Sequence, residues 1–304
     1  MTLIAICVCT YQRQKLLNEC LMSLQHIGIP NDVSVTVMVI DNDVDESSRQ
    51  VVEANQKNTV FTFHYVVEPN RGIPCARNRA ITESMSLNAE YLVFIDDDER
   101  VAVDWLSHLF VFCQSHGGDV VVSGHVIQEI PESTPKHIRS LFEKPVKRQS
   151  GDRLNACATN NVIIPMEFLR KSNLRFDESQ PFAGGTDTRF FVEATAKGID
   201  IVKCMESVVY ETIPESRATL GWFSKRKYRA GITEAWRKQE MGRSKINVIL
   251  SSFLQLLLNG MVSVFCSVFY LQEKRNQSWL KVCRSFGVLM GVFGVKIDSY
   301  KKIH

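Results

Sequence analysis

Residues 90–100, EYLVFIDDDER, decide the fold of this chain. A short apolar run over 91–95 ends abruptly at three consecutive acids, Asp96, Asp97 and Asp98. Such a run is typical of a strand that is buried on both faces, as parallel sheets require. Ligands of these sheets bind beyond the carboxyl ends of the strands, where the three acids would emerge.

Three adjacent carboxylates repel one another, and this repulsion would raise their pKa values if they stayed unpaired. A hard divalent cation with oxygen ligands removes the conflict, especially one shared with the phosphates of a substrate. The alternative is a polar loop in which water solvates the acids. The position directly after a buried strand favours the metal site.

The composition indicates a packed protein rather than a disordered or nucleic-acid-binding one. Apolar residues make up 45% and charged residues 23% of 304 positions, so a sizeable core is expected. The net charge of only +3 argues against a nucleic acid partner. Acids concentrate at 41–46 and 96–99 and bases at 136–153 and 217–245, which predicts an acidic metal cleft and a basic surface facing an anionic partner.

The cysteines and the N-terminus indicate a reducing compartment. Nine cysteines are scattered without a CxxC pair, which fits the cytoplasm better than a disulfide framework. The N-terminal residues lack a basic region and a cleavage site, so no secretory signal is expected. The seven histidines form no group with metal-ligand spacing, so a zinc hydrolase has no support.

Apolar strands alternate with helical patterns over the first half of the chain, which predicts right-handed crossovers and a mostly parallel, Rossmann-like α/β sheet flanked by helices. The predicted strands cover 3–9, 33–40, 60–67, 91–95, 119–127, 160–165 and 202–210, and the predicted helices include 105–113, 187–197 and a basic helix over 219–241. Between 131 and 154 the periodicity fails and bases accumulate, which indicates either a mobile substrate loop or a solvated insertion. These bases are Lys136, His137, Arg139, Lys144, Lys147, Arg148 and Arg153.

The C-terminal region is the most apolar part of the chain. Residues 246–271 are long enough to cross a bilayer, but polar residues recur at every fourth position and bases flank both ends. An interfacial or re-entrant pair of helices over 246–271 and 279–295 is favoured, because it keeps both basic flanks on the cytoplasmic side. A two-span hairpin and a soluble core or oligomer interface are the alternatives. The predicted domains are a catalytic domain over 1–240 and a membrane-associated helical region over 241–304.

Strands one, two and four would deliver the segment from Thr10 to Arg13, Asp41 and the three acids to one edge of a doubly wound sheet. This crevice suits a nucleotide. Asp41 would accept a hydrogen bond from the base, and Tyr11 or Arg13 would contact the base or a phosphate. A metal ion would lie on the pyrophosphate.

With these motifs the chain resembles the family 2 inverting glycosyltransferases of GT-A fold, and among them the glucosyltransferases of succinoglycan-type exopolysaccharide assembly. The resemblance spans residues 3 to about 240. It is carried by ICVCTYQR (6–13), VIDN (39–42), NRGIPCARNRAI (70–81), FIDDDE (94–99), GGTDTRFF (184–191) and VYETIPESRATLGWFSKRKYRAG (209–231).

The resemblance implies a nucleotide-sugar donor, usually UDP-linked, and Mg²⁺ or Mn²⁺ held by the acids of a DxD motif. It places Asp98 as the direct metal ligand and Asp96 near the ribose or the metal, with Asp97 beside the donor. It also makes Asp187 the general base, which takes the proton of the acceptor hydroxyl as it attacks. A single displacement of this kind inverts the anomeric centre.

Two positions depart from the family pattern. Thr186 stands where the family has a glutamate before the base. Glu211 stands where many relatives have a metal-binding histidine, and we expect it to bind the cation in that place. Arg217 and Arg226 would hold phosphate, or they belong to a solvated basic helix face. Arg77 and Asn78 would approach the donor, or they only brace the turn that begins their helix.

The QxxRW signature of processive synthases is absent, because the comparable region reads RATLGW over 217–222. We therefore expect one sugar to be added per encounter. A saccharide linked to a lipid diphosphate is the expected acceptor, at the cytoplasmic face of the inner membrane. The rivals are a sugar nucleotidyltransferase, although 10–15 contains no glycine of the expected signature, and a catalytically silent membrane scaffold.

Overall fold

The computed structural model describes residues 1–57, 59, 61–143, 147–179, 181–182 and 184–295, which form two compact units. The sheet unit comprises Met1–Gln128, Lys147–Pro181 and Thr186–Thr212. The helical unit comprises Glu129–Val146, Phe182–Gly185 and Ile213–His304. The last change of unit along the chain lies between Thr212 and Ile213, so the division into these units does not coincide with the predicted boundary at 240.

The strands are β1 (Thr2–Thr10), β2 (Val33–Asp41), β3 (Thr62–Val67), β4 (Tyr91–Asp96), β5 (Glu99–Val101), β6 (Val121–Glu129), β7 (Arg153–Leu154), β8 (Val162–Pro165) and β9 (Ile201–Thr212). The helices are α1 (Gln14–Leu24), α2 (Arg49–Gln56), α3 (Ile73–Ser86), α4 (Trp105–Ser115), α5 (Lys136–Phe142), α6 (Met166–Ser172), α7 (Thr186–Ala196), α8 (Leu220–Glu240), α9 (Lys245–Val268) and α10 (Gln272–Val292).

A nine-stranded sheet with the order β3-β2-β1-β4-β8-β6-β9-β5 forms the centre of the sheet unit, and β7 pairs with β9. The strands β3, β2, β1 and β4 are parallel, whereas β8 runs antiparallel to both β4 and β6. The predicted α/β class with helices flanking a central sheet is confirmed. The strand after the DDD motif, β5, was not predicted, because three residues carry no detectable alternation.

Each face of the parallel strands is apolar, as their sequences predict. Ile4 and Ile6 of β1 belong to one buried cluster together with Leu17 and Leu21 of α1. Ala5 and Cys7, which alternate with them along the strand, belong to a second cluster on the opposite face. Burial on both faces explains why these strands read as continuous apolar runs.

The register of the parallel strands brings their polar ends together. Thr10, the last residue of β1, pairs with Asp41 of β2, and Cys9 pairs with Asp96 of β4. The prediction that Thr10, Asp41 and the DDD acids emerge at one edge of the sheet is therefore confirmed.

Close packing of α8 against α10 holds the helical unit together. A Cβ atom at Gly287 would lie 2.1 Å from the Tyr228 carbonyl oxygen, and one at Gly231 would lie 2.1 Å from the Arg284 carbonyl oxygen. Only glycine permits this approach of the two backbones. Arg284 also pairs with Glu234 at 2.7 Å. These contacts explain why α8, which we predicted to belong to the catalytic domain, groups with the C-terminal helices.

The stretch over 131–154 is not the irregular loop that the sequence predicted. It contains α5, whose buried Ile138 and Leu141 pack in one cluster with Phe223 and Leu280 of the helical unit. Seven residues give too few turns for the apolar spacing to be recognised. Lys144 of the basic cluster lies outside the described residues.

Candidate active site

Asp97 turns back into the protein. One of its carboxylate oxygens accepts a hydrogen bond from Thr10 Oγ1 at 2.8 Å, and the other accepts one from Arg13 Nη1 at 2.9 Å. Burial raises the pKa of Asp97 to about 6, although Arg13 opposes the shift. Both oxygens are therefore engaged, and they connect the turn after β4 to the end of β1 and to the segment that follows it. In this structure Asp97 supports the neighbouring segments, and its predicted contact with the donor remains a prediction.

Asp96 and Asp98 are the acids that stay accessible at the sheet edge. The Asp96 side chain is 47% exposed, and Asp98 lies 3.4 Å from Arg13 Nη1. The pKa of Asp96 is raised to about 7. Burial is the largest cause, Arg77 opposes it, and the Asp98, Asp187 and Asp97 carboxylates add to the rise. The exposed half of the side chain gives water or a ligand access to this carboxylate.

The donor chemistry of Asp96 and Asp98 fits a hard divalent cation. Both supply carboxylate oxygens, and a cation would offset the burial and the mutual repulsion that together raise the pKa of Asp96. In the described residues no group of three or more His, Cys, Asp or Glu side chains is arranged to hold a metal. Two carboxylates are nevertheless enough for Mg²⁺, which usually completes its shell with water and substrate phosphates.

Glu211 does not complete a three-carboxylate set in this structure. It lies opposite Glu99 in the antiparallel pairing of β9 with β5, and its carboxylate accepts a hydrogen bond from Gln128 Nε2 at 2.8 Å. Its role as a metal ligand remains a prediction.

Arg77 connects the two halves of the site. Its Nη1 forms an ion pair with Asp187, and its Nη2 lies 3.9 Å from Asp96 Oδ1. The side chain is only 9% exposed, and it leaves the first turns of α3, which begins after Gly72 at φ +144°. Asn42 Oδ1 accepts a hydrogen bond from the Gly72 amide at 2.7 Å and so fixes the start of this helix.

Asp187 lies in the first turn of α7. Besides Arg77, its carboxylate accepts hydrogen bonds from Thr186 Oγ1 at 3.1 Å and from Thr159 Oγ1 at 3.2 Å. Burial raises the pKa of Asp187, but Arg77 and the hydrogen bonds of both threonines outweigh it, so the net pKa is lowered. Asp187 is thus ionised and oriented, and it pairs with the same Arg77 guanidinium that lies near Asp96.

Asp41 is buried and organises the turn after β2, and its predicted contact with the nucleotide base remains a prediction. Its residue surface is 0% exposed. Its carboxylate accepts hydrogen bonds from the Tyr65 hydroxyl at 2.7 Å and from the Ser48 amide at 2.8 Å. An acid at a strand end has the same local sequence whether it binds a ligand or caps a turn, so the sequence did not separate the two.

The remaining predicted donor residues fall into two groups. The Tyr11 ring lies under the Arg71 guanidinium at 4.1 Å, and the residue is partly exposed at the predicted nucleotide edge. Asn78 instead exchanges hydrogen bonds with the Phe176 backbone at 2.8 and 2.9 Å and donates to Glu178 at 2.7 Å. For Asn78 the structure favours the bracing interpretation.

Arg217 and Arg226 belong to the helical unit. The Arg226 guanidinium lies 5.1 Å from the centre of the Trp222 ring in α8, and the Arg217 amide donates to the Pro214 carbonyl oxygen at 2.8 Å. Their predicted binding of phosphate stays a prediction.

Sequence reasoning missed two residues that support the acids. The buried Glu99 carboxylate accepts hydrogen bonds from the Asp96 amide and from Asn160 Nδ2, both at 3.0 Å. Burial, followed by the nearby Asp96, raises the pKa of Glu99. Glu99 directly follows the three aspartates, and this position in the sequence was a signal that could have identified it as part of the site. No sequence signal identified Thr159, because its contact with Asp187 joins segments 28 residues apart.

Residues 5–175 match the family model described as glycosyl transferase family 2. The chain belongs to this family, as the sequence motifs predicted. It is 31% identical over 304 residues to the succinoglycan biosynthesis protein ExoM of Rhizobium meliloti (strain 1021), covering 98% of this chain and 95% of ExoM.

Solved structures of S. aureus TarS share the fold. The complex of TarS residues 1–349 with UDP is similar with a TM-score of 0.57 and 15% identity, covering 94% of this chain and 91% of that one. The complex with UDP-GlcNAc has a TM-score of 0.56 at the same identity and coverage. The chain spans 55% of the longer TarS chain. At this identity the likeness establishes the GT-A fold alone.

Proposed function

We propose that this glycosyltransferase is inverting and metal-dependent, and that it moves one hexosyl unit from a UDP-sugar to a saccharide acceptor. One observation carries the proposal: Arg77 pairs with the candidate base Asp187 and lies 3.9 Å from the candidate metal ligand Asp96. The groups needed at the leaving group and at the nucleophile therefore belong to one site. UDP and UDP-GlcNAc complexes of TarS, which has this fold, support the choice of donor.

At the leaving group, Asp96 and Asp98 would hold Mg²⁺ or Mn²⁺. When bound, the cation stabilises the negative charge that develops on the departing diphosphate. Arg13, beside Asp98, adds a fixed positive charge at the same edge of the sheet. Tyr11 offers its ring to the base or ribose of the nucleotide.

At the nucleophile, Asp187 takes the proton of the acceptor hydroxyl at one of its carboxylate oxygens. The hydroxyl oxygen attacks the anomeric carbon from the side opposite the diphosphate, so one displacement inverts the configuration. Thr159 and Thr186 orient the carboxylate, because both donate hydrogen bonds to it. Thr186, in place of the family glutamate, therefore positions the base.

The acceptor is proposed to be a lipid-diphosphate-linked saccharide, extended for an exopolysaccharide at the cytoplasmic face of the inner membrane. The relative ExoM, a succinoglycan biosynthesis protein, supports this pathway class. In the described residues α9 alone is long and apolar enough to cross a membrane, and 17% of its most apolar window is buried. Its exposed face includes Leu254, Leu257 and Leu258.

An interfacial position of α9 agrees best with its neighbours in the helical unit. The following helix, α10, carries Lys274 and Arg275 and packs on α8 through its glycines, so it does not supply a second span. With basic residues at both of its ends, α9 would lie on an anionic leaflet with its apolar face inserted.

The test is a panel of UDP-glucose, UDP-galactose and UDP-GlcNAc, incubated with the purified protein, Mn²⁺ and an extract of lipid-linked saccharides. We expect UDP release with one donor, loss of release in EDTA, and a product with inverted anomeric configuration by proton NMR. A product that retains the configuration would refute the single displacement. Release that continues unchanged in EDTA would refute the metal.

A further inference from the structure

A cavity of about 280 Å³ in the sheet unit has no part in the reaction described above. Lys203 and Arg148 line it together with Ser123, Gly124 and the segment over 154–160. Its volume is just below the range of about 300–1,000 Å³ for ligand sites. It suits one sugar unit or a substituent of that unit rather than an extended chain.

The cavity contains two positive charges that lack carboxylate partners in the described part of the chain. Lys203 Nζ donates to the Gly124 carbonyl oxygen, and Arg148 Nη1 donates to the Arg153 carbonyl oxygen at 3.5 Å. Burial lowers the pKa of Lys203; the Cys157 and Cys204 thiols oppose this shift, Arg148 adds to it, and the net pKa is lowered. Two cations that repel each other across a cavity attract an anion into it.

The backbone around Gly124 fixes the Lys203 ammonium at the cavity wall. A Cβ atom at position 124 would lie 2.2 Å from Asn161 Nδ2, so only glycine fits there. The Gly124 amide donates to the Asn161 carbonyl oxygen at 2.8 Å, which holds the Gly124 carbonyl in place. The positive charge is thus preorganised before any ligand arrives.

The cavity lies next to the candidate base. Ala158 and Asn160 line it, and Thr159 between them donates hydrogen bonds to Asp187 from its amide at 3.4 Å and from its hydroxyl at 3.2 Å. Burial raises the pKa of the Cys157 thiol; Asp187 raises it further, whereas Lys203 lowers it. The charges of Asp187 and Lys203 therefore both act on the Cys157 thiol.

We propose that this cavity, the cationic cavity, binds an anionic group of the acceptor saccharide, either a carboxylate or a phosphate. The inference rests on the proposed function, because it takes Asp187 as the group that meets the acceptor hydroxyl. A sugar whose hydroxyl reaches Asp187 would place a nearby anionic substituent between Lys203 and Arg148. The cationic cavity would then select acidic acceptors over neutral ones.

Three probes test this by calorimetric titration of the full-length protein: methyl β-D-glucuronide, glucose 6-phosphate and the neutral methyl β-D-glucoside. We expect at least one anionic probe to bind about tenfold more tightly than the glucoside. Preference for the glucuronide identifies a carboxylate, and preference for glucose 6-phosphate identifies a phosphate. Equal affinity for all three probes overturns the inference.

Variants locate the binding. Lys203→Met should remove most of the tenfold preference, Lys203→Arg should keep it, and the exposed Arg148→Gln should reduce it without affecting folding. Arg153→Gln is the matched control, since Arg153 pairs with Asp200. A preference that persists in both Lys203→Met and Arg148→Gln overturns the assignment to this cavity.

The same samples separate this inference from the proposed function. UDP is titrated with Mn²⁺ into wild type and Arg148→Gln, and the saccharide probes are titrated both with and without UDP. Absence of UDP binding counts against the proposed function, whereas normal UDP binding without any charge preference counts against the cationic cavity alone.

Discussion

Arg77 forms an ion pair with Asp187 from one guanidinium nitrogen, while the other nitrogen lies 3.9 Å from Asp96. One almost fully buried cation thus contacts two carboxylates that have different tasks in the proposed reaction. It keeps Asp187 ionised, and it partly offsets the repulsion among the acids after β4. A donor diphosphate would offer this arginine a third anionic partner.

Replacing Arg77 should therefore change the pH dependence of catalysis. Among the charges around Asp187, Arg77 is the strongest that lowers its pKa. In Arg77→Met we expect the acidic limb of the kcat/KM profile to move up by about 1 pH unit or more, together with a lower maximum. Arg79→Met is the control, because Arg79 lies on the same helix and pairs with Glu83. An acidic limb that stays in place would contradict the link between Arg77 and the base.

The acids after β4 should make the metal-free protein less stable as the pH rises. The pKa of Asp96 is raised to about 7 and that of Asp97 to about 6, so both hold protons in the folded chain that the unfolded chain has released. The free energy of unfolding should then decrease between about pH 4 and pH 7. Urea denaturation in EDTA at four pH values measures this decrease.

Asp96→Asn removes one of these titrations, so its stability should depend less steeply on pH than that of wild type. Saturating Mn²⁺ with UDP should flatten the wild-type curve in the same way, because a cation favours the ionised carboxylates. A steeper curve for the variant would contradict the assigned direction of the Asp96 shift.

Asp96 and Asp98 should each be needed for Mn²⁺ binding in the presence of UDP. We expect Asp98→Asn to weaken Mn²⁺ by at least about tenfold, since a cation of this type draws on one or two carboxylates. Titration followed by electron paramagnetic resonance at pH 8, above the Asp96 pKa, gives the affinity. Asp32→Asn is the control, because Asp32 is exposed and its φ of 58° suits asparagine equally. Unchanged affinity in Asp98→Asn would remove it as a ligand.

The exposed face of α9 should determine membrane binding. Replacing Leu254 and Leu258 together by glutamine removes about 3 kcal/mol or more of apolar insertion, which is at least about 100-fold in partitioning. Flotation with vesicles that contain phosphatidylglycerol measures it. Val111→Gln, an exposed apolar residue of α4, should have no effect. Equal flotation of the double variant and wild type would exclude α9 as the membrane contact.

The sequence predicted those parts of the fold that depend on local patterns. Continuous apolar runs identified β1, β2 and β4, and the abrupt change from Ile95 to Asp96 located the edge where the acids meet. The helix α5 was not predicted, because it has only seven residues and is stabilised by Phe223 and Leu280, which are far away in the chain.

The candidate site was predictable at the level of residue types and less so at the level of roles. Asp41 and Asp97 look like Asp96 and Asp98 in the sequence, yet the first two are buried and engaged by neighbouring donors. Which acid faces outward depends on contacts with Tyr65, Thr10 and Arg13, and a linear pattern does not contain these. The ion pair of Arg77 with Asp187 joins residues 110 positions apart.

The most direct test of the central claim is the rate of sugar transfer by Asp187→Asn, with Mn²⁺, the preferred UDP-sugar and the lipid-linked acceptor. The substitution preserves the shape of the side chain but removes the proton acceptor. We expect UDP to bind within about twofold of wild type while transfer falls by about 10²–10⁴-fold, and Asp32→Asn to transfer normally. Transfer by Asp187→Asn at the wild-type rate would contradict the account.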